Sequence, residues 1–323
     1  MQDDSSIFDP DLTDLSKNEW LTTLAGVSEE HGFFKSLGRK HFASHVRQGD
    51  TLLVSFQTIQ SVPMSGHAEP MGWRVVRTNG WSSLCIMCDG DTWFRDPMVY
   101  GLFDSLIDEG FFDGFETVVF YGTGPCGYAA AAFSVSAPGA RVVAIQPQAT
   151  LDPRITEWDD RFLDMRRTDF TSRYGYAPDM LDACKDAFVF YDPVEKLDAM
   201  HAALFTRDNV TQFRLRNMGG ALENFLYKSH SLLPILTHAA EGTLDDSTFA
   251  RLYRSRRDYA PYLRRLLGVL YHTNRPGLEL LLTSNVTSRM KAPRFKNRLK
   301  ALRKHQAKQQ TPAENSENEA TGG

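Results

Sequence analysis

Between Glu116 and Glu241 short apolar runs alternate with segments of helical pattern. ETVVFY is followed by GYAAAAFSVSA, RVVAIQ by a long polar excursion and APDMLDACK, AFVFYD by EKLDAMHAALF, and VTQFRLR by ALENFLYKSHSLLPILTHAAE. The strands read as continuous apolar runs, as they do when helices cover both faces of a parallel sheet. The fold class is therefore α/β, a mainly parallel sheet with helices on both faces.

Upstream, TLLVSFQTI (Thr51 to Ile59) reads as the first strand, with GWRVVRT and SSLCIMCDG as further strands dense in β-branched and apolar residues. Ser16 to Val46 reads as helical, opening on Ser16 with Glu19 three residues later, a capping box. Phe94 to Phe112 has helical spacing with Pro97 in its first turn. Downstream lies a helical appendage in three pieces, broken at Asn274-Arg275-Pro276 and at Ala292-Pro293. The division expected is a helical extension over 1–48, the α/β core over 49–241, a basic helical appendage over 242–305 and a disordered tail over 306–323.

At 323 residues, 42% hydrophobic and 24% charged, the chain has material for one sizeable core and an appendage. No apolar run approaches the ~20 residues of a membrane span, and the start MQDDSSIFDPDL lacks the basic and apolar regions of a signal peptide. A cytoplasmic location is expected, and the four scattered cysteines fit a reducing compartment. The net charge of -4 conceals a basic region after Arg251. Its Arg254, Arg256, Arg257, Arg264 and Arg265, and then KAPRFKNRLKALRKH, point to a protein partner or a solvated face rather than to nucleic acid, whose motifs are lacking.

The stretch GTGPCG, Gly122 to Gly127, carries the functional question. As G-x-G-x-x-G it suggests a dinucleotide loop, but at least two strands precede it, and RVVAIQ ends at Gln146 and Pro147 where a ribose-binding acid would stand. Pro125 also removes one N–H from such a cradle. No nucleotide cofactor is expected. Cys85-x-x-Cys88 has metal or redox spacing, yet nothing completes four zinc ligands, and within a strand the two thiols point to opposite faces.

YGTGPCGYAAAAFS resembles the nucleophile elbow of the α/β-hydrolases, with G-x-S-x-G-G-Y-A-A forms known from bacterial esterase-like proteins. The resemblance spans about Thr51 to Ala239 and sets Gly122 on the first glycine, Gly124 on the nucleophile and Cys126 on the second glycine. The nucleophile position is thus glycine. A shifted register, or the first helical turn itself, makes Cys126 the alternative nucleophile, its thiolate favoured by the helix N-terminus. The resemblance implies an acid at Asp192 or Asp198 and a histidine after VTQFRLR, where Asn217-Met218-Gly219-Gly220 stand instead, leaving His201 and His230 as substitutes. The oxyanion would be held by backbone around Gly124 and Gly127 and by the loop from Gln57 to Ser61, with Gln57 adding a side-chain donor. A lid would fall between Asp152 and Tyr176, where Arg166, Arg167, Arg173 and Tyr174, with Trp93 and Arg95 from the preceding loop, would meet a small-molecule ligand.

WSSL, TWFRDP, GYAAAAFSVSAPGA, QATLDP and DFTSRYGYAPDM also resemble a family of alphaproteobacterial proteins often named phosphoadenosine phosphosulfate reductase. That name implies an SGGKDS-like phosphate loop and an ECGLH-like cysteine motif, and neither occurs. Three classes stay open: a thiol-type acyl or ester hydrolase or transferase acting on an acyl, ester or glycan-linked small molecule, a silent binding or scaffold protein with a degenerate triad, and the reductase of the family name.

Overall fold

A computed structural model of the chain describes residue 10 and residues 12–60 and 68–319, with side chains as far as 307. It divides into two compact units, Met1–Tyr253 and Arg254–Gly323. Among the described residues no helix is long and apolar enough to cross a membrane.

The first unit is built on β1 (Gly32–Leu37), β2 (His41–Val46), β3 (Thr51–Thr58), β4 (Ser82–Cys88), β5 (Thr117–Thr123), β6 (Arg141–Ile145), β7 (Asp186–Tyr191) and β8 (Val210–Arg214). They form one eight-stranded sheet in the order β1-β2-β4-β3-β5-β6-β7-β8. Only the β1–β2 and β2–β4 pairs are antiparallel. Its helices are α1 (Lys17–His31), α2 (Met71–Asn79), α3 (Pro97–Asp108), α4 (Pro125–Phe133), α5 (Pro153–Thr156), α6 (Ala177–Met180), α7 (Lys196–Ala202), α8 (Leu222–Lys228), α9 (Leu232–Glu241) and α10 (Asp246–Tyr253). This order and connectivity is the α/β-hydrolase fold.

Two segments of the first unit differ from their sequence-based expectation. The helix foreseen from Ser16 to Val46 stops at His31, although its capping box forms as expected. The rest becomes the β1–β2 hairpin, turning at Gly38 with φ +74. At Gly32 a Cβ would lie 2.4 Å from the His45 carbonyl oxygen across the pair, so only glycine lets the strands meet there. GWRVVRT forms α2 rather than a strand: Trp73 and Val76, three residues apart, bury one face, and Gly80 at φ +67 ends the helix. Packing overrode the β-branched composition.

α4 lies against β3, β5 and β6. Its run Ala129–Ala132 is fully buried, and small side chains let the helix approach the sheet closely. The second unit holds α11 (Ala260–His272), α12 (Pro276–Arg289) and α13 (Pro293–Glu319), packed around Leu263, Leu267, Val286 and Phe295. The stretch expected to be a disordered tail continues α13 as far as Glu319.

Candidate functional site

β5 delivers Thr123 to a sharp turn at Gly124, which has φ 57 and ψ -122, and α4 begins at the next residue. Those angles lie in a region that side chains strain to reach, as the turn of a nucleophile elbow requires. The turn is tight. A Cβ on Gly122 would stand 2.1 Å from the Cys126 carbonyl oxygen and 2.4 Å from its carbon. Above Gly124 the space is open, since a Cβ there would meet nothing within 4 Å.

The next residue is Pro125, which has no N–H. In the register of the resemblance, with Gly124 at the nucleophile position, the following residue offers no backbone N–H to an oxyanion. Gly127, the donor foreseen for a Cys126 nucleophile, sits inside α4. The Gln57 Oε1 accepts the Met71 N–H at 2.9 Å and the Cys85 thiol at 3.4 Å. Ser61 lies outside the described residues.

Cys126 occupies the first turn of α4 with 7% of its surface exposed. Burial, reinforced by neighbouring Cys88 and Glu223, pushes its thiol well above the ordinary range. The thiol expected at an open helix end is instead a buried one. The other cysteines are alike: Cys85, with the α1 and α2 residues, is pushed up to about 12, and Cys88, on the opposite face, to about 11. Cys184 is also pushed up to about 11. Among the described residues no group of three or more His, Cys, Asp or Glu is placed to hold a metal.

Asp192 stands just past the end of β7, the place of the acid, and is fully buried. Its Oδ1 accepts N–H bonds from Val194 at 2.9 Å and Asn217 at 3.1 Å, and its Oδ2 accepts that of Gly219 at 2.7 Å. The acid clamps the loop after β8, the segment that would carry the histidine, by its backbone.

Asp198 and His201 belong to a different assembly. His201 Nδ1 accepts the Ala149 N–H at 3.2 Å, so that nitrogen carries no proton, and Nε2–H therefore donates to Asp159 at 2.8 Å. Both ring nitrogens are spent, and burial holds the imidazole below its ordinary pKa. As a base for Cys126, His201 is corrected to a structural residue. Asp198 meets Arg161 at 2.5 Å and the Gln146 amide at 2.6 Å, while Arg161 grips Asp159. His230 is exposed after α8 at φ +55 and, with Met71, Arg74 and Tyr227, borders a hollow of about 290 Å³.

Most of the residues foreseen for a ligand hold the excursion between β6 and β7 in place. Trp93 is fully buried against Tyr128, Phe162 and Phe170. Arg95 donates to the carbonyls of Asp169 at 2.9 Å and Arg173 at 2.7 Å. Arg173 pairs with Asp104 and lies over the buried Tyr174. Arg166 donates to the Glu157 carbonyl at 3.1 Å, and Arg167 is exposed.

One group beside the elbow escaped the sequence reading. Glu223, in the first turn of α8, accepts the Tyr121 hydroxyl, with the Thr123 side chain alongside, and burial raises its carboxyl above the ordinary range. In ALENFLYK an acid in the first turn needs no further explanation, so nothing in the sequence distinguished it.

No family model matches the chain, and no curated protein matches it. Among solved structures it is similar to an esterase of Pyrobaculum calidifontis, at 15% identity over 75% of this chain and 98% of that one, with a TM-score of 0.42. It is similar to a thermostable esterase from Pseudomonas putida ECU1011, at 14% over 69% and 91%, TM-score 0.38. A third is the capsule O-acetyltransferase of Neisseria meningitidis serogroup A, at 11% over 62% and 94%, TM-score 0.36. The α/β-hydrolase assignment stands on this chain's own strand order and connectivity.

Proposed function

We propose that the chain is a catalytically silent α/β-hydrolase-fold protein that acts by binding. One observation carries this reading: the elbow turn is kept at Gly124 while the residue in it has no side chain and the next, Pro125, has no N–H. Nucleophile and oxyanion donor are lost at adjacent positions, and neither loss disturbs the backbone. The buried thiol of Cys126, the spent nitrogens of His201 and the backbone-bound carboxylate of Asp192 support the same reading. Over Gly124 a Cβ would meet nothing within 4 Å, and this reading assigns a small acyl-type or ester-type ligand to that space. Hydrolase ancestry of the scaffold is an analogy of fold, and fold does not fix activity.

Native protein treated with fluorophosphonate and thiol-directed acyl probes, mapped by mass spectrometry beside Cys126→Ala, tests the proposal. Labelling of Cys126 no faster than in urea-unfolded chain is the expected result. Selective, saturable labelling of native Cys126 would overturn it and reinstate a thiol acyl-transfer enzyme.

A further inference from the structure

In the second unit a groove of about 980 Å³ is lined by the first turns of α13, the α12–α13 turn and Thr287 at the end of α12. α13 docks through Phe295 and Leu302, both buried, and through Arg298, whose Nε meets Glu279 at 2.6 Å. The adjoining stripe, Lys296, Leu299, Lys300 and Arg303, at i, i+3, i+4 and i+7, faces the groove. Lys291 joins it from the α12–α13 turn, and among the described residues the lining holds these four cations and no carboxylate. Met290 and Leu299 are half-buried while the cations are exposed, so apolar surface lies below a basic margin.

We infer that this groove is a docking site for an acidic amphipathic helix of a partner protein. Charge complementarity sets the sign of the partner, and the layout of the charges sets its form. Lys296 to Arg303 runs along about 10 Å of helix at 1.5 Å per residue. A single anionic headgroup would engage one end of such a row. A helix with carboxylates at i and i+4 engages its whole length while its apolar stripe covers Met290 and Leu299. An anionic membrane is the poorer match, because a concave surface keeps its apolar floor away from a flat bilayer. The inference is independent of the silent core: the acyl probes read the elbow alone, and the experiment below reads the helical unit alone.

Full-length protein is titrated into a fluorescein-labelled helical peptide carrying a leucine stripe flanked by glutamates, with a glutamine-for-glutamate version as control, and fluorescence anisotropy is followed. Saturable binding is expected to weaken about tenfold between 50 and 200 mM salt. It should be lost in the Lys296→Glu/Lys300→Glu variant, with thermal midpoint unchanged because both side chains are exposed. Equal binding of the glutamine peptide, equal binding by the charge-reversed protein, or no binding at all would overturn the inference. So would two outcomes naming another occupant: sedimentation with phosphatidylserine vesicles without peptide binding, and concentration-dependent self-association that the charge reversal abolishes.

Discussion

The turn after β5 and the end of β7 stand where the α/β-hydrolase resemblance sets a nucleophile and an acid, and they differ in what they offer. At the turn Gly124 holds a strained backbone and has no side chain. At Asp192 a carboxylate is present, and its oxygens bind the N–H groups of Val194, Asn217 and Gly219. A fold retains what its packing needs. The elbow lets α4 approach the sheet, and the carboxylate fixes the loop after β8. Neither need requires a reaction.

Mutations should separate these needs. Gly122→Ala drives a Cβ into the backbone of Cys126, which cannot give way, and is expected to cost about 4 kcal/mol or prevent folding. Asp192→Ala leaves three N–H groups unpaired and should cost about 3 kcal/mol in urea unfolding, whereas a triad acid would sacrifice activity with little loss of stability. An unchanged unfolding midpoint for Asp192→Ala would break the comparison. Gly124→Ser has room for its side chain and suffers only the turn's strain, about 1–2 kcal/mol. It should gain no esterase activity, because Pro125 still supplies no oxyanion N–H.

Acid sharpens the contrast between buried imidazoles and a catalytic base. Burial lowers His45 to about 4 and also depresses His41 and His201. In the unfolded chain each titrates near 6.5, so the unfolded state takes up protons that the folded state resists. Stability should therefore be complete above pH 6.5 and fall as the pH drops towards 4, by about 2–3 kcal/mol for His45 alone. Urea midpoints measured between pH 7.5 and 4.5 should show that fall, and His45→Gln should flatten it. The His201 ring resonances should stay those of the neutral Nε2–H tautomer through pH 6.5, and a titration centred there would restore it as a base.

The parallel core was legible because apolar runs alternate with helical ones, and the elbow because glycines punctuate a strand and a small-residue helix. The first hairpin was hidden: Gly38 is a weak signal inside a segment that opens with a good capping box. α2 was hidden by valines that helix packing tolerates. Candidate acids and histidines could be found by chain order, but their work is set by distant partners. Asp198 is held by Arg161, 37 residues away, and His201 by Asp159, 42 residues away. No local pattern encodes those pairings, so residues of the right type at the right place still took structural roles.

The smallest effect tests the residue that most resembles a nucleophile. Cys126 packs within the apolar cluster around α4 and is almost fully buried, so Cys126→Ala should cost about 1 kcal/mol, the loss of one buried sulfur. Cys126→Ser replaces that sulfur with a hydroxyl in surroundings that already penalise polarity, and should cost more than the alanine variant. A catalytic thiol gives the other order where it counts, with both variants inactive and stability hardly altered. Unfolding curves for the pair, read beside iodoacetamide rates for the native thiol, distinguish the two. Slow alkylation with Ser less stable than Ala marks a packing residue; fast alkylation with both variants as stable as the parent marks an activated thiol and places chemistry back at the elbow.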